Sequence, residues 1–145
     1  MSHALTRMWI HAVFGTKNRQ PLLKDEMRGT LFAHIKEDLE AQGCGVRIIN
    51  GTRDHTHVLF LLPKELAIAQ IMKSIKGESS HWINQGDMIA AKFAWQVGYG
   101  AFSVSESMVS KVENYIRNQA EHHKKMTFTE EYERLLKNHN LSINH

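Results

Sequence analysis

The chain has 145 residues, 42% hydrophobic and 23% charged, with a formal net charge of +3 and a pI near 9.1. That is the length of one domain, enough to bury roughly 68% of its unfolded surface, and a single domain over 1–145 is expected. Lys and Arg are interleaved with Asp and Glu along the whole chain, so no basic tail or acidic block exists, and a polyanion surface must be built by folding. Cys44 is the only cysteine, which excludes an intramolecular disulfide framework and a cysteine-based zinc site and reads as a small buried hydrophobe. The longest apolar run, Val58 to Leu62, is far too short for a membrane span. With no signal-peptide core at the N-terminus, the expected location is the cytoplasm.

Residues 4–15 are rich in β-formers and end at Gly15, which predicts a first strand. Pro21 is expected to open a helix in which Leu23, Met27, Leu31, Ile35 and Leu39 recur every fourth residue, until Gly43 and Gly45 stop it. Val46–Ile49 reads as a short strand. Asn50-Gly51 signals a hairpin turn into a strand from about Arg53 to Leu62, ended by Pro63. Ile68, Ile71, Met72, Ile75 and Trp82 trace a second amphipathic helix. Gly77 lies within it, at a cost of about 1 kcal/mol relative to Ala, which suggests close packing there. Phe93–Val104 reads as a fourth strand and 105–124 as a third long helix. A capped last helix begins near Thr127 or Thr129 and carries Tyr132, Leu135 and Leu136. The order βαββαβ followed by two helices predicts an α+β, ferredoxin-like antiparallel sheet with two helices on one face. Its other face is left for the third helix or a ligand.

Two short motifs carry the chemistry. Asp54-His55-Thr56-His57 heads the third strand, where alternation sends His55 and His57 to one face and Val58, Phe60 and Leu62 to the other. Imidazoles at i and i+2, roughly 6.5–7 Å apart at Cα, can converge on one ion. The pair reads equally well as two polar residues at the solvated start of a strand. In the third helix Val109, Val112, Ile116 and Ala120 form the core stripe. Tyr115 and Gln119 stack four residues apart at its edge. A phenol needs help to act as a nucleophile at neutral pH, and an amide oxygen suits a hard cation. By itself this pair also reads as an amphipathic tyrosine beside a hydrogen-bonding glutamine. His122-His123, adjacent on the helix and pointing about 100° apart, read as helix C-terminal charges rather than ligands.

Taken together, the residues resemble the single-tyrosine transposases of small bacterial insertion sequences, within the histidine-hydrophobe-histidine (HUH) nuclease superfamily. The likeness runs through His11-Ala-Val-Phe-Gly-Thr-Lys-Asn-Arg19, Asp54-His-Thr-His-Val58 and Ile75-Lys-Gly-Glu-Ser-Ser80. It continues in Trp95-Gln-Val-Gly-Tyr-Gly-Ala-Phe-Ser-Val104 and Tyr115-Ile-Arg-Asn-Gln119. The resemblance implies a homodimeric enzyme that cuts and rejoins single-stranded DNA near hairpins, with a 5′-phosphotyrosine intermediate and no small-molecule cofactor. It places the metal-binding histidines on His55 and His57, the nucleophile on Tyr115 and a helix-borne ligand for Mg²⁺ or Mn²⁺ on Gln119. Thr56 departs from the bulkier hydrophobe usual there, and its side chain is expected to face away from the ion. Lys17, Arg19, Arg53, Lys73, Lys76 and Arg117 are candidate phosphate contacts. Gly98 and Gly100, just before the tyrosine helix, could form a hinge. Such a hinge would let Tyr115 serve His55 and His57 of a second subunit. Rival readings are a domesticated relative or rolling-circle nickase with the same chemistry, and a non-catalytic single-strand binder that stacks bases on Trp9, Trp95 and Tyr99.

Overall fold

The computed structural model describes residues 4–86 and 88–142. Strand β1 (Met8–Gly15) is followed by α1 (Asp25–Ala41), β2 (Gly45–Gly51), β3 (His55–Leu62) and α2 (Ile68–Gln85). Then come β4 (Gly100–Val104), α3 (Val109–Arg117), α4 (Gln119–His122) and α5 (Phe128–Asn138). The strands form one antiparallel sheet in the order β2-β3-β1-β4. In that order β1 and β2, joined through α1, flank β3, and β3 and β4, joined through α2, flank β1. This is the ferredoxin-like α+β arrangement.

Alternation along the strands sorts side chains onto two faces. Ala12, Phe14, Val58 and Phe60 face α1 and α2 in the main core, where Met27, Leu31, Ile35 and Leu39 form the buried stripe of α1. Trp9, Leu59, Val109 and Ile116 make a second cluster beneath α3. Val13, Phe102, Phe128 and Leu136 make a third beneath α5. The second face of the sheet is therefore covered. No helix among the described residues is long and apolar enough to cross a membrane.

Several local expectations change. The first helix begins at Asp25 rather than Pro21, because a short 3-10 turn at Lys17–Arg19 and an irregular stretch to Lys24 come first. Asn50-Gly51 is not the hairpin turn: β2 runs through Gly51 and the chain reverses at 52–54, closed by Thr52 N–H donating to His55 O at 3.1 Å. The fourth strand is confined to Gly100–Val104, since Gly98 has φ +89° and Phe93 and Trp95 turn into the core instead. The third helix is interrupted at Asn118 (φ −97°, ψ 26°), which separates Tyr115 from Gln119 by a kink. The packing expected at Gly77 is absent, since a Cβ there would meet nothing within 4 Å. The last helix starts as expected, with Thr127 Oγ1 accepting from Glu130 N at 3.2 Å and Glu130 Oε1 accepting from Thr127 N at 3.1 Å.

Candidate metal centre and tyrosine

His55 and His57 project from β3 onto the second face, both fully buried. Each ring is fixed through Nδ1. His55 Nδ1 lies 2.8 Å from Asp54 Oδ1 and 3.1 Å from Thr52 Oγ1. His57 Nδ1 lies 2.8 Å from His11 Nε2, whose ring stacks on it from the neighbouring strand β1. Held this way, the two Nε2 atoms converge, at 3.2 and 3.1 Å, on one carboxylate oxygen, Glu131 Oε1. Ligand atoms of His55, His57 and Glu131 all lie within 4.8 Å of one another.

Glu131 comes from α5 and is 1% exposed. Its Oε1 also meets His123 Nε2 at 2.9 Å. Its Oε2 accepts from the Tyr115 hydroxyl and, at 2.8 Å, from Gln119 Nε2. Gln119, also buried, places Oε1 2.7 Å from His55 Nε2. The structure thus brings together all four residues singled out from sequence. The tyrosine is held from several sides: its ring stacks on His122 at 4.6 Å and meets the His57 ring edge-on at 6.0 Å. Asn50, misread as a turn residue, explains how α3 is anchored. Its side-chain amide donates to Ile116 O (2.9 Å) and Arg117 O (3.1 Å), satisfying the carbonyls at the end of that helix. Within the chain Tyr115 lies against its own His57, with ring centroids 6.0 Å apart.

Burial dominates the electrostatics. It pulls His11 down to about 3 and His57 down to about 4, so both are neutral at pH 7. His55 is buried too, but hydrogen bonds to Asp54 and Glu131 outweigh burial and raise it to about 9. Burial would raise Glu131, yet hydrogen bonds to His123, His55 and His57 hold it well below the ordinary carboxylate range. Burial, followed by the adjacent Glu131 carboxylate, pushes the Tyr115 phenol above its usual 10. Without an ion the site is a buried carboxylate neutralised by protonated imidazole, around an unactivated tyrosine.

The donor set of two imidazole nitrogens, a carboxylate and an amide oxygen fits a divalent cation of borderline-to-hard character. Asp54 behind His55 supplies the orienting partner expected of a metal-binding imidazole. Thr56 faces the helices of the main core, away from this group. The expected phosphate contacts divide. Arg53 lines a cleft of about 670 Å³ beside Asp54 and His123, together with Arg28, Lys124 and Lys125. Arg19 lines a second cavity next to Phe128, and Lys17 is exposed in the adjoining turn. Lys76 is spent on the carbonyls of Gln96 (2.8 Å) and Gly98 (2.7 Å), and Arg117 pairs with Glu113 at 2.8 Å. Lys73 lies on α2, across the sheet from the histidines.

Glu131, His11, His122 and His123 were not legible as site residues. The two adjacent histidines do end a helix, α4, and from there they also flank Tyr115 and Glu131. One signal for Glu131 was present: Phe128, Glu131 and Leu135 share a helix face at i, i+3 and i+7, which puts a carboxylate in an apolar stripe. The base-stacking alternative loses two of its three aromatics, since Trp9 (5% exposed) and Trp95 (7%) are buried, while Tyr99 stays half-buried.

A buried histidine pair with a carboxylate that could hold a metal ion thus sits beside a tyrosine on a ferredoxin-like sheet. The family described as IS200-like transposases matches residues 4–119. The chain belongs to that family and is a transposase. Solved structures agree on the fold. A candidate transposase from Deinococcus radiodurans superposes with TM-score 0.67 at 21% identity, over 82% of this chain and 95% of that one. A REP-associated tyrosine transposase bound to a REP hairpin superposes with TM-score 0.60 at 17% identity, over 85% of this chain and 74% of that one. No curated protein matches the chain.

Proposed function

We propose that this transposase cuts and rejoins single-stranded DNA through a covalent 5′-phosphotyrosine on Tyr115, supported by Mg²⁺ or Mn²⁺ at His55, His57, Glu131 and Gln119. The observation that carries this reading is the single carboxylate, Glu131, shared between the two imidazoles and the tyrosine hydroxyl. A bound divalent ion supplies Lewis-acid polarisation of the scissile phosphate. Asp54 keeps the His55 proton on Nδ1, leaving Nε2 free as a ligand, and His11 fixes the plane of His57. Tyr115 Oη attacks phosphorus in line, the P–O3′ bond breaks, and the phenol proton passes by way of Glu131 Oε2 to the departing O3′, leaving a 3′-OH. A phosphoester replaces a phosphoester, so a second 3′-OH can reverse the step without ATP. An activated water would give hydrolysis alone.

The hairpin-bound relative supports a hairpin-bearing single strand as the substrate here. A homodimer is the assembly in keeping with the family resemblance. The reading is tested by incubating the protein with end-labelled single strands tiled across the DNA flanking its gene. A labelled protein–DNA adduct should form with Mg²⁺ and vanish with EDTA. Tyr115→Phe should abolish the adduct and leave binding within a few-fold. Cleavage by the Phe variant would show that another group is the nucleophile.

A further inference from the structure

Two segments that carry the family resemblance, 11–19 and 95–104, have no part in the chemistry above beyond His11. They meet beside the site. Gln96 N donates to Gly15 O at 2.8 Å, Lys17 N to Ala94 O at 3.0 Å, and Asn18 N to Gln96 Oε1 at 3.3 Å. Lys76 pins the same loop from below through two carbonyls. Between this frame and α5 lies a cavity of about 420 Å³, within the roughly 300–1,000 Å³ range of small-ligand pockets.

We propose that this cavity binds one unstacked nucleobase of the single strand, next to the bond that is cut; the inference rests on the function proposed above. Three observations fix the occupant. The walls present aromatic faces, Tyr99 from the loop and Phe128 and Tyr132 from α5, with the last two rings 5.7 Å apart. Arg19 stands on the lining with an exposed side chain in no ion pair among the described residues, available to the phosphate that accompanies a base. The wall is continuous with the metal centre: the Phe128 ring stacks on His55 with centroids 4.2 Å apart and planes 8° from parallel. An occupant of the cavity is therefore one aromatic ring away from a metal-binding imidazole. Stacking faces with a cation at the rim are the equipment for holding a single-stranded base. A purely apolar ligand would have no use for Arg19. The end of β1 that borders the cavity is itself closed to an added peptide strand, because Thr16 is already bridged to Trp95.

The test uses a strand that wild-type protein binds, in a Tyr115→Phe background with Mg²⁺ so that nothing is cut. An abasic residue is moved one position at a time along the unpaired nucleotides, and affinity is read by fluorescence anisotropy. One position, within one or two nucleotides of the scissile bond, should lose about ten-fold or more, as for loss of a base–aromatic stack. In Tyr132→Leu that positional penalty should shrink to within about two-fold. Arg19→Gln, at an exposed position that leaves the fold intact, should lower the salt slope of binding by about 0.7, one phosphate's worth for a single strand. No penalised position, a penalty undiminished in Tyr132→Leu, or an unchanged salt slope in Arg19→Gln would each overturn the inference. If the wild-type protein binds no single strand at all, it is the proposed function that falls first.

Discussion

Glu131 Oε2 accepts the hydrogen bond of the Tyr115 hydroxyl while Oε1 of the same carboxylate faces His55 and His57. The tyrosine hydroxyl and both imidazoles are thereby joined through one side chain contributed by α5. That link has a definite sign. If Glu131 is a ligand, Glu131→Ala should weaken Mn²⁺ binding by at least about 10-fold, since even a partner that only orients a ligand is worth about 10- to 100-fold. Glu131→Gln, which keeps the shape, should fall between. Calorimetric titration with Mn²⁺ reads this without any catalysis. Tighter binding in the alanine variant would instead make Glu131 a plug that the ion must displace.

The same geometry sets the pH dependence of metal binding. In the metal-free protein His55 is raised to about 9, so at pH 7 it carries a proton that an ion must expel. Apparent affinity should therefore climb by about one log unit per pH unit below 9, and binding at pH 7 should release about one proton. Titrations in two buffers of different ionisation enthalpy measure that proton. Affinity that stays flat from pH 6.5 to 8.5 would remove His55 from the ligand set.

Stability of the metal-free protein should respond to acid for a different reason. His11 and His57 are neutral in the fold, at about 3 and about 4, but titrate near 6.5 when unfolded. Below pH 6.5 the unfolded chain binds more protons than the folded one, so stability falls as pH falls. The loss approaches roughly 2–3 kcal/mol per pH unit, two protons' worth, until the folded pKa values are reached. Urea melts with EDTA between pH 7 and 5 should show this slope, and His11→Gln should reduce it by about half.

Because Tyr115 faces its own chain's His57 at 6.0 Å between ring centroids, complementation between subunits should fail. A mixture of Tyr115→Phe and His57→Ala proteins should form no more adduct than either alone, however long they exchange. Recovery toward half of wild-type yield would show that the tyrosine crosses to a partner.

What could be read in the sequence was whatever obeys a short-range period. Alternation put His55 and His57 on one face, the four-residue spacing of Met27, Leu31, Ile35 and Leu39 marked α1, and a capping residue at Thr127 or Thr129 marked the start of α5. What could not be read depends on which elements meet. His11 is a site residue only because β1 pairs with β3 in the register that sets Val13 opposite His57. Asn50 caps α3 across 66 residues of sequence, so its local turn propensity was outvoted by a tertiary hydrogen bond. Gly77 misled in the opposite direction, since its helix position suggested crowding where there is open space. Gly77→Ala is accordingly compatible with the fold.

The family match ends at Gln119, yet the carboxylate that unites the site lies twelve residues further on, in a helix that follows the whole sheet. During synthesis the sheet, the histidines and Tyr115 all emerge before Glu131 does. At about 5–20 residues per second, a nascent chain spends on the order of a second or more with its tyrosine made and its carboxylate not yet added. A chain at that stage carries the tyrosine and both histidines without the carboxylate that joins them in the fold.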